Sequence, residues 1–401
     1  MITERSKAII LLTGYLPSSD KKAKPLSISE WNKFAIWLHQ RDLVPEDLLG
    51  FEQNKIIKDW NDNKILKERL EKLLNRGATM AICLDKWQRA GVWVINRSDS
   101  DYPRKFKKAL NQKSPPIFYG IGNKKLLSTE AIGVVGSRNI TEEELKYSYD
   151  LGVKIAGEGL SVVSGGAKGI DEYSMVGALQ SEGTSIGILA DRLLQRSTSK
   201  VYRKHIMNNN LVFISPYHPE ARFNVGNAMS RNKFIYLKSN ATYVVHSGIK
   251  GGTWTGALEN LQYKWVPLFV KSNNYPNSGN SELIKKGGTI FNGSVSEIKF
   301  TENKVENSQQ NLSNNIEQNK ILSSKINNST IESNSIYKFK NPLLEKFSEL
   351  LKNDFSNGFS NKEVSKHYSI VPSQIKKWLN QLEKSKIIKT EEEGKFKFVN
   401  K

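Results

Sequence analysis

The chain has 401 residues, too many for one ordinary hydrophobic core, so two or three domains are expected. Lysine and arginine outnumber aspartate and glutamate by 60 to 40, a formal charge of +20, which favours nucleic acid or an anionic membrane surface as a partner. No apolar run reaches the roughly eighteen residues of a membrane span, Cys83 stands alone and excludes an intrachain disulfide, and the five histidines lack metal-ligand spacing, so a cytoplasmic protein without metal or cofactor is expected.

Residues 1–110 read as a helical domain. Ala8-Ile9-Ile10-Leu11-Leu12 follows the charged Glu4-Arg5 pair and is too short for a signal peptide, which makes it a buried element. Trp31, Phe34, Ala35, Trp37 and Leu38 form one apolar stripe at helical spacing, and Ile65, Leu66, Leu70, Leu73 and Leu74 another. Ser27 and Ser29 with Glu30 offer a capping signature before the first stripe. Gly91-Val92-Trp93-Val94-Ile95 alternates like a strand, and Pro115-Pro116-Ile117-Phe118-Tyr119-Gly120 opens a sheet region.

Through residues 111–300 strands and helices alternate. Strand-like runs fall at 132–136, 160–164, 184–189, 211–215, 241–246 and 265–270, with helical patterns at 142–156, 170–179, 202–207, 228–237 and 256–263. That rhythm implies an α/β fold with a doubly wound parallel sheet, whose ligand sits beyond the carboxyl ends of the strands. At those ends the sequence turns glycine-rich: Gly133-Val134-Val135-Gly136-Ser137-Arg138, then Ser164-Gly165-Gly166-Ala167-Lys168-Gly169-Ile170-Asp171. Glycines let a backbone approach a phosphate, and the helix that follows aims its N–H groups at it. Two further clusters join them. Phe223-Asn224-Val225-Gly226-Asn227 leads to Arg231-Asn232-Lys233, and Ser247-Gly248-Ile249-Lys250-Gly251-Gly252-Thr253-Trp254-Thr255 enters another helix. Cations near a helix N-terminus oppose its dipole and suit a bound anion better; Asp171 can be read as a helix cap. Repeated cationic cradles suit a polyanion.

Residues 301–336 are Asn-, Ser-, Gln- and Lys-rich without a sustained period, the composition of a disordered linker. Residues 337–401 then give helices at 343–352, 360–367 and 371–382 and a hairpin joining 387–390 to 396–399, the order of a winged helix. Fourteen lysines against eight acids make it basic.

The ordered set of motifs, with Asp101-Tyr102-Pro103 upstream and Glu282-Leu283-Ile284-Lys285-Lys286-Gly287 downstream, resembles the DNA-processing protein A family, DprA/Smf. The resemblance implies a Rossmann-like domain that dimerises, binds single-stranded DNA, protects it and assists loading of a RecA-type recombinase in recombination or transformation. It assigns DNA contacts to Arg138, Arg231, Lys233 and Lys168, around Gly136, Ser137, Gly165, Gly166, Asn232, Lys250, Gly252 and Thr253. The family's usual aromatic and proline before Arg-Asn-Arg are replaced by Ala228-Met229-Ser230, which leaves Phe223 as the stacking candidate, and its Leu-Asp-x-x-Tyr-Pro segment by Asp191-Arg192-Leu193-Leu194-Gln195-Arg196. The chain reads as a divergent branch. The rival reading is a nucleotide-hydrolysing enzyme or nucleotide sensor of the same superfamily, in a defence system; its glutamate would be Glu259, one position late and so turned about 100° on a helix.

Overall fold

The computed structural model describes residues 2–291 except 17–23, 51, 139 and 273–277, together with parts of 348–398. The chain divides into two units, 1–304 and 305–401. The expected linker at 301–336 lies outside the described residues.

The first unit is built on a nine-stranded sheet. In chain order its strands are β1 (Trp93–Asn96), β2 (Ile117–Gly122), β3 (Ala131–Gly136), β4 (Ser161–Ser164), β5 (Thr184–Ile188), β6 (Leu211–Ser215), β7 (Ala241–His246), β8 (Leu268–Lys271) and β9 (Thr289–Phe291). Their spatial order is β1-β2-β6-β5-β4-β3-β7-β8-β9. From β6 to β9 all neighbours are parallel, the doubly wound arrangement expected from the sequence. Beyond β6 the sheet turns antiparallel, because β2 and β1 each reverse against the strand before them.

Side chains alternate across the strands as a pleated backbone requires. Ile132 and Val134 of β3, with Tyr243 and Val245 of β7, face one core. Ala131, Val135 and Val244 face the other. Helices α7 (Glu142–Gly157), α8 (Ile170–Gln180), α9 (Leu193–Ser197) and α10 (Arg203–Met207) pack on the first face, and α6 (Arg104–Leu110), α11 (Val225–Lys238), α12 (Gly252–Tyr263) and α13 (Gly279–Lys285) on the second.

The N-terminal region is helical, as the stripes indicated: α1 (Glu4–Thr13), α2 (Ile28–His39), α3 (Gln53–Lys58), α4 (Lys67–Leu74) and α5 (Gly77–Arg89). It shares its core with the first face of the sheet. Ala8 to Leu12 of α1 are all buried. Residues 93–110, grouped from sequence with the helical domain, instead supply β1 and α6 to the sheet. The Trp93 ring lies over Gly120, where an added Cβ would come within 2.1 Å of it, and its Nε1 donates to the Gly122 carbonyl at 3.0 Å.

Ser27 caps α2 in a full capping box: its Oγ accepts from the Glu30 amide, and its own amide donates to the Glu30 carboxylate at 2.8 Å. The same carboxylate takes the Arg69 guanidinium at 2.7 Å, and these partners hold it down to about 2. Its contribution is therefore intact above the ordinary carboxylate range and lost as pH falls toward that value. Ser27→Ala should lower stability by about 1 kcal/mol, read as a lower urea midpoint with an unchanged slope.

In the second unit, Phe359–Ser360, Ile388–Thr390 and Lys395–Phe398 form a small antiparallel sheet beside a helix at Asn361–Tyr368. Ile375, Leu379 and Leu382, which the sequence offers to the core, are buried with Leu351, Val364 and Phe359. Most of the expected first helix and parts of the third lie outside the described residues.

Candidate nucleic-acid interface

The order of strands reverses at β3: the chain builds outward through β4, β5 and β6 on one side, then returns to place β7 on the other. Such a switch point leaves a crevice, because the connections from the two central strands leave in opposite directions. Here the crevice is a cavity of about 600 Å³. Gly136, Ser137 and Arg138 after β3 form one wall, and Lys250, Gly252 and Thr253 after β7 the opposite one. The start of α11 and the loop before it close the third side with Phe223, Val225 and Met229.

The mouth combines cations with apolar surface. Arg138 is exposed, and its guanidinium lies 5.2 Å from the centroid of the Phe223 ring, a cation–π contact. Phe223 is 45% exposed, Val225 62% and Met229 40%, enough ring and thioether surface for a base to rest on. Lys250 and Gly251 are exposed beside them.

The floor is held by Asp171. Its buried carboxylate accepts from the backbone amides of Gly136, Gly165 and Ala167, so one side chain fastens the turn after β3 to the turn after β4. It does not cap α8, whose N-cap is Gly169; that expectation is corrected. Gly169 sits at φ +92°, a conformation open to glycine, with a would-be Cβ only 2.9 Å from the Ser137 carbonyl. Burial pushes the Asp171 carboxyl upward, while the nearby Arg231 guanidinium pulls it down.

Arg231-Asn232-Lys233 reads from sequence as one basic patch on the DNA. On α11 the three residues diverge, because successive helical side chains are about 100° apart. Arg231 lines the cavity from its buried side, is 5% exposed, and donates from Nη1 to the Ile188 carbonyl at 2.5 Å. Its guanidinium rests on Gly165, where a Cβ would come within 1.9 Å of Nη1. Asn232 donates to the Gly252 carbonyl at 2.9 Å, tying α11 to the turn after β7. Lys233 lines a different cleft.

Gly165 and Gly166 are buried in the turn after β4, and Lys168 is exposed on it, all three outside the cavity lining. Sequence reasoning missed the apolar rim of Val225 and Met229. It also missed His246, whose Nδ1 pairs with the Glu144 carboxylate at 2.6 Å, and Asn280, which braces β7 by accepting from the Ser247 amide at 2.7 Å. Their only signal was position, next to a strand end or a helix start. Glu259, the acid the hydrolase reading requires, lies on α12 and does not line the cavity.

The family model of DNA recombination-mediator protein A matches residues 93–302, from β1 past β9 and through every turn of the cavity. The chain belongs to that family. Its sequence is 29% identical over 195 residues to a putative DNA processing protein DprA of Mycobacterium tuberculosis, covering 47% of this chain and 49% of that protein. It is 27% identical over 183 residues to the Bacillus subtilis DNA processing protein DprA, covering 45% of this chain and 60% of that one. The chain thus spans about half the length of the curated relatives it matches. The crystal structure of DNA processing protein A from Streptococcus pneumoniae superposes over 75% of this chain and 99% of its own, with TM-score 0.57 at 18% identity, a likeness of fold. Among the described residues no helix is long and apolar enough to cross a membrane.

Proposed function

We propose that the protein binds single-stranded DNA at the switch-point cavity, as part of DNA processing or recombination. The observation that carries this reading is the pairing of Arg138 with Phe223 at the mouth: a group suited to phosphate and a surface suited to an unstacked base sit within one nucleotide's reach. Lys250 and the Gly252–Thr253 turn offer a second phosphate contact, and Lys168, exposed on the neighbouring turn outside the cavity, a third for a strand that leaves the mouth. Asp171, Arg231 and Asn232 hold the walls that carry these groups. Family membership supports the same assignment, and on it rest assembly as a homodimer and loading of a RecA-type recombinase.

Binding should favour single strands over duplex, because the apolar rim has nothing to rest on when bases are stacked inside a helix. On a strand of about 4 nucleotides, two or three phosphate contacts predict a log–log salt slope of about −1.5 to −2. Fluorescence anisotropy on a labelled oligothymidine between low and moderate salt tests this. Equal or tighter duplex binding, or a flat salt response, would sink the proposal.

A further inference from the structure

The first two turns of α11 separate the cavity from a second opening. On their other side lies a cleft of about 520 Å³ between the end of α1 with Tyr15, the start of α2, and the start of β2 with the loop after β6. The two share their dividing wall residue by residue. Arg222 and Asn224 line the cleft while Phe223, between them, lines the cavity; Ser230 and Lys233 line the cleft while Met229 and Asn232 line the cavity. The ridge between is one helix, roughly 10–12 Å across with its side chains.

The cleft has its own chemistry. Among the described residues Lys113, Arg222 and Lys233 line it and no carboxylate does. Tyr15 lines it with 60% of its surface exposed, a large value for an aromatic residue in a sheltered position. Cations beside an exposed aromatic ring repeat the combination found at the cavity mouth. They also explain why Lys233, two residues from the buried Arg231, faces away from the cavity.

We propose that single-stranded DNA held in the cavity continues over the start of α11 into this cleft, where Lys233, Arg222 and Lys113 meet backbone phosphates and Tyr15 stacks on a base. This rests on the reading of the cavity given above. It makes the helical N-terminal region part of the DNA site, and it makes affinity depend on strand length.

The full-length protein, a Tyr15→Ala/Lys233→Ala double variant and Arg138→Ala are compared on oligothymidines of about 4 and about 16 nucleotides, which bracket common single-strand site sizes. Thermal unfolding confirms that each variant is folded. Wild type should bind the long strand more tightly. The double variant should lose about tenfold on the long strand and less than about twofold on the short one, about 1.4 kcal/mol confined to the cleft. Long-strand affinity equal to wild type, or equal losses on both lengths, would overturn the proposal. Arg138→Ala should weaken both lengths; if it weakens neither, the reading of the cavity fails, whereas a length-independent double variant beside a weakened Arg138→Ala removes only the cleft.

Discussion

Arg231→Met should lower the stability of the first unit by about 3 kcal/mol, the low end for a buried charge deprived of its counterpart. The value sits at the low end for two reasons. Asp171 keeps its three backbone donors when Arg231 is lost. Arg231 itself surrenders only the bond to Ile188, since its buried Nε has no partner among the described residues. Methionine fills much of the volume, so a cavity term is small. The pH dependence follows from the direction of the Asp171 shift. A carboxyl raised by burial opposes folding when ionised: its favourable contribution is complete below the ordinary carboxylate value and is lost as pH rises through the raised one. Removing Arg231 raises that carboxyl further. The stability deficit of the variant should therefore shrink on moving from about pH 7 to about pH 5, read from paired urea titrations. A deficit that is unchanged or grows on acidification would show that Arg231 and Asp171 are not coupled.

Arg138→Ala should weaken single-strand binding by about 1.5–3 kcal/mol, roughly 10- to 150-fold, with little change in stability. Arg138 is exposed and makes no described hydrogen bond, so the fold does not depend on it. Its guanidinium can hold a phosphate by two parallel bonds, and the Phe223 ring at 5.2 Å steadies it in place. Arg138→Lys keeps the charge and loses the fork, so it should recover only part of the affinity. Phe223→Ala removes both the steadying ring and a stacking surface, at about 1–3 kcal/mol. Anisotropy titrations on the folded variants measure each loss; wild-type affinity in Arg138→Ala would place the DNA elsewhere.

Most of the fold is legible in the sequence because period and turn chemistry agree. The apolar runs at 132–136 and 241–246 end at Gly136 and His246, where β3 and β7 end. The antiparallel edge is not legible, since β1 and β2 owe their direction to pairing partners distant in the chain. At the site, the glycine turns and Arg138 are readable because each needs only its own strand and helix. The divergence of Arg231, Asn232 and Lys233 is not: a list of adjacent letters hides the angle between them. Nor is the role of Asp171, which follows from where the Gly136 and Gly165 amides arrive and not from its own helix.

The hydrogen-bonded neighbours β3 and β7 have a temporal consequence. About 110 residues separate Gly136 from His246 along the chain, yet the cavity exists only where their ends meet. A ribosome that has released β3 through β6 has made one wall of the site and none of the other. The turn carrying Arg138 must wait, unoccupied, until α11, β7 and the start of α12 have emerged and the return strand has docked on the open edge of β3. Competence to hold DNA thus comes late in the synthesis of this unit, and nascent chains halted before residue 241 carry the first glycine turns with no second wall to face them.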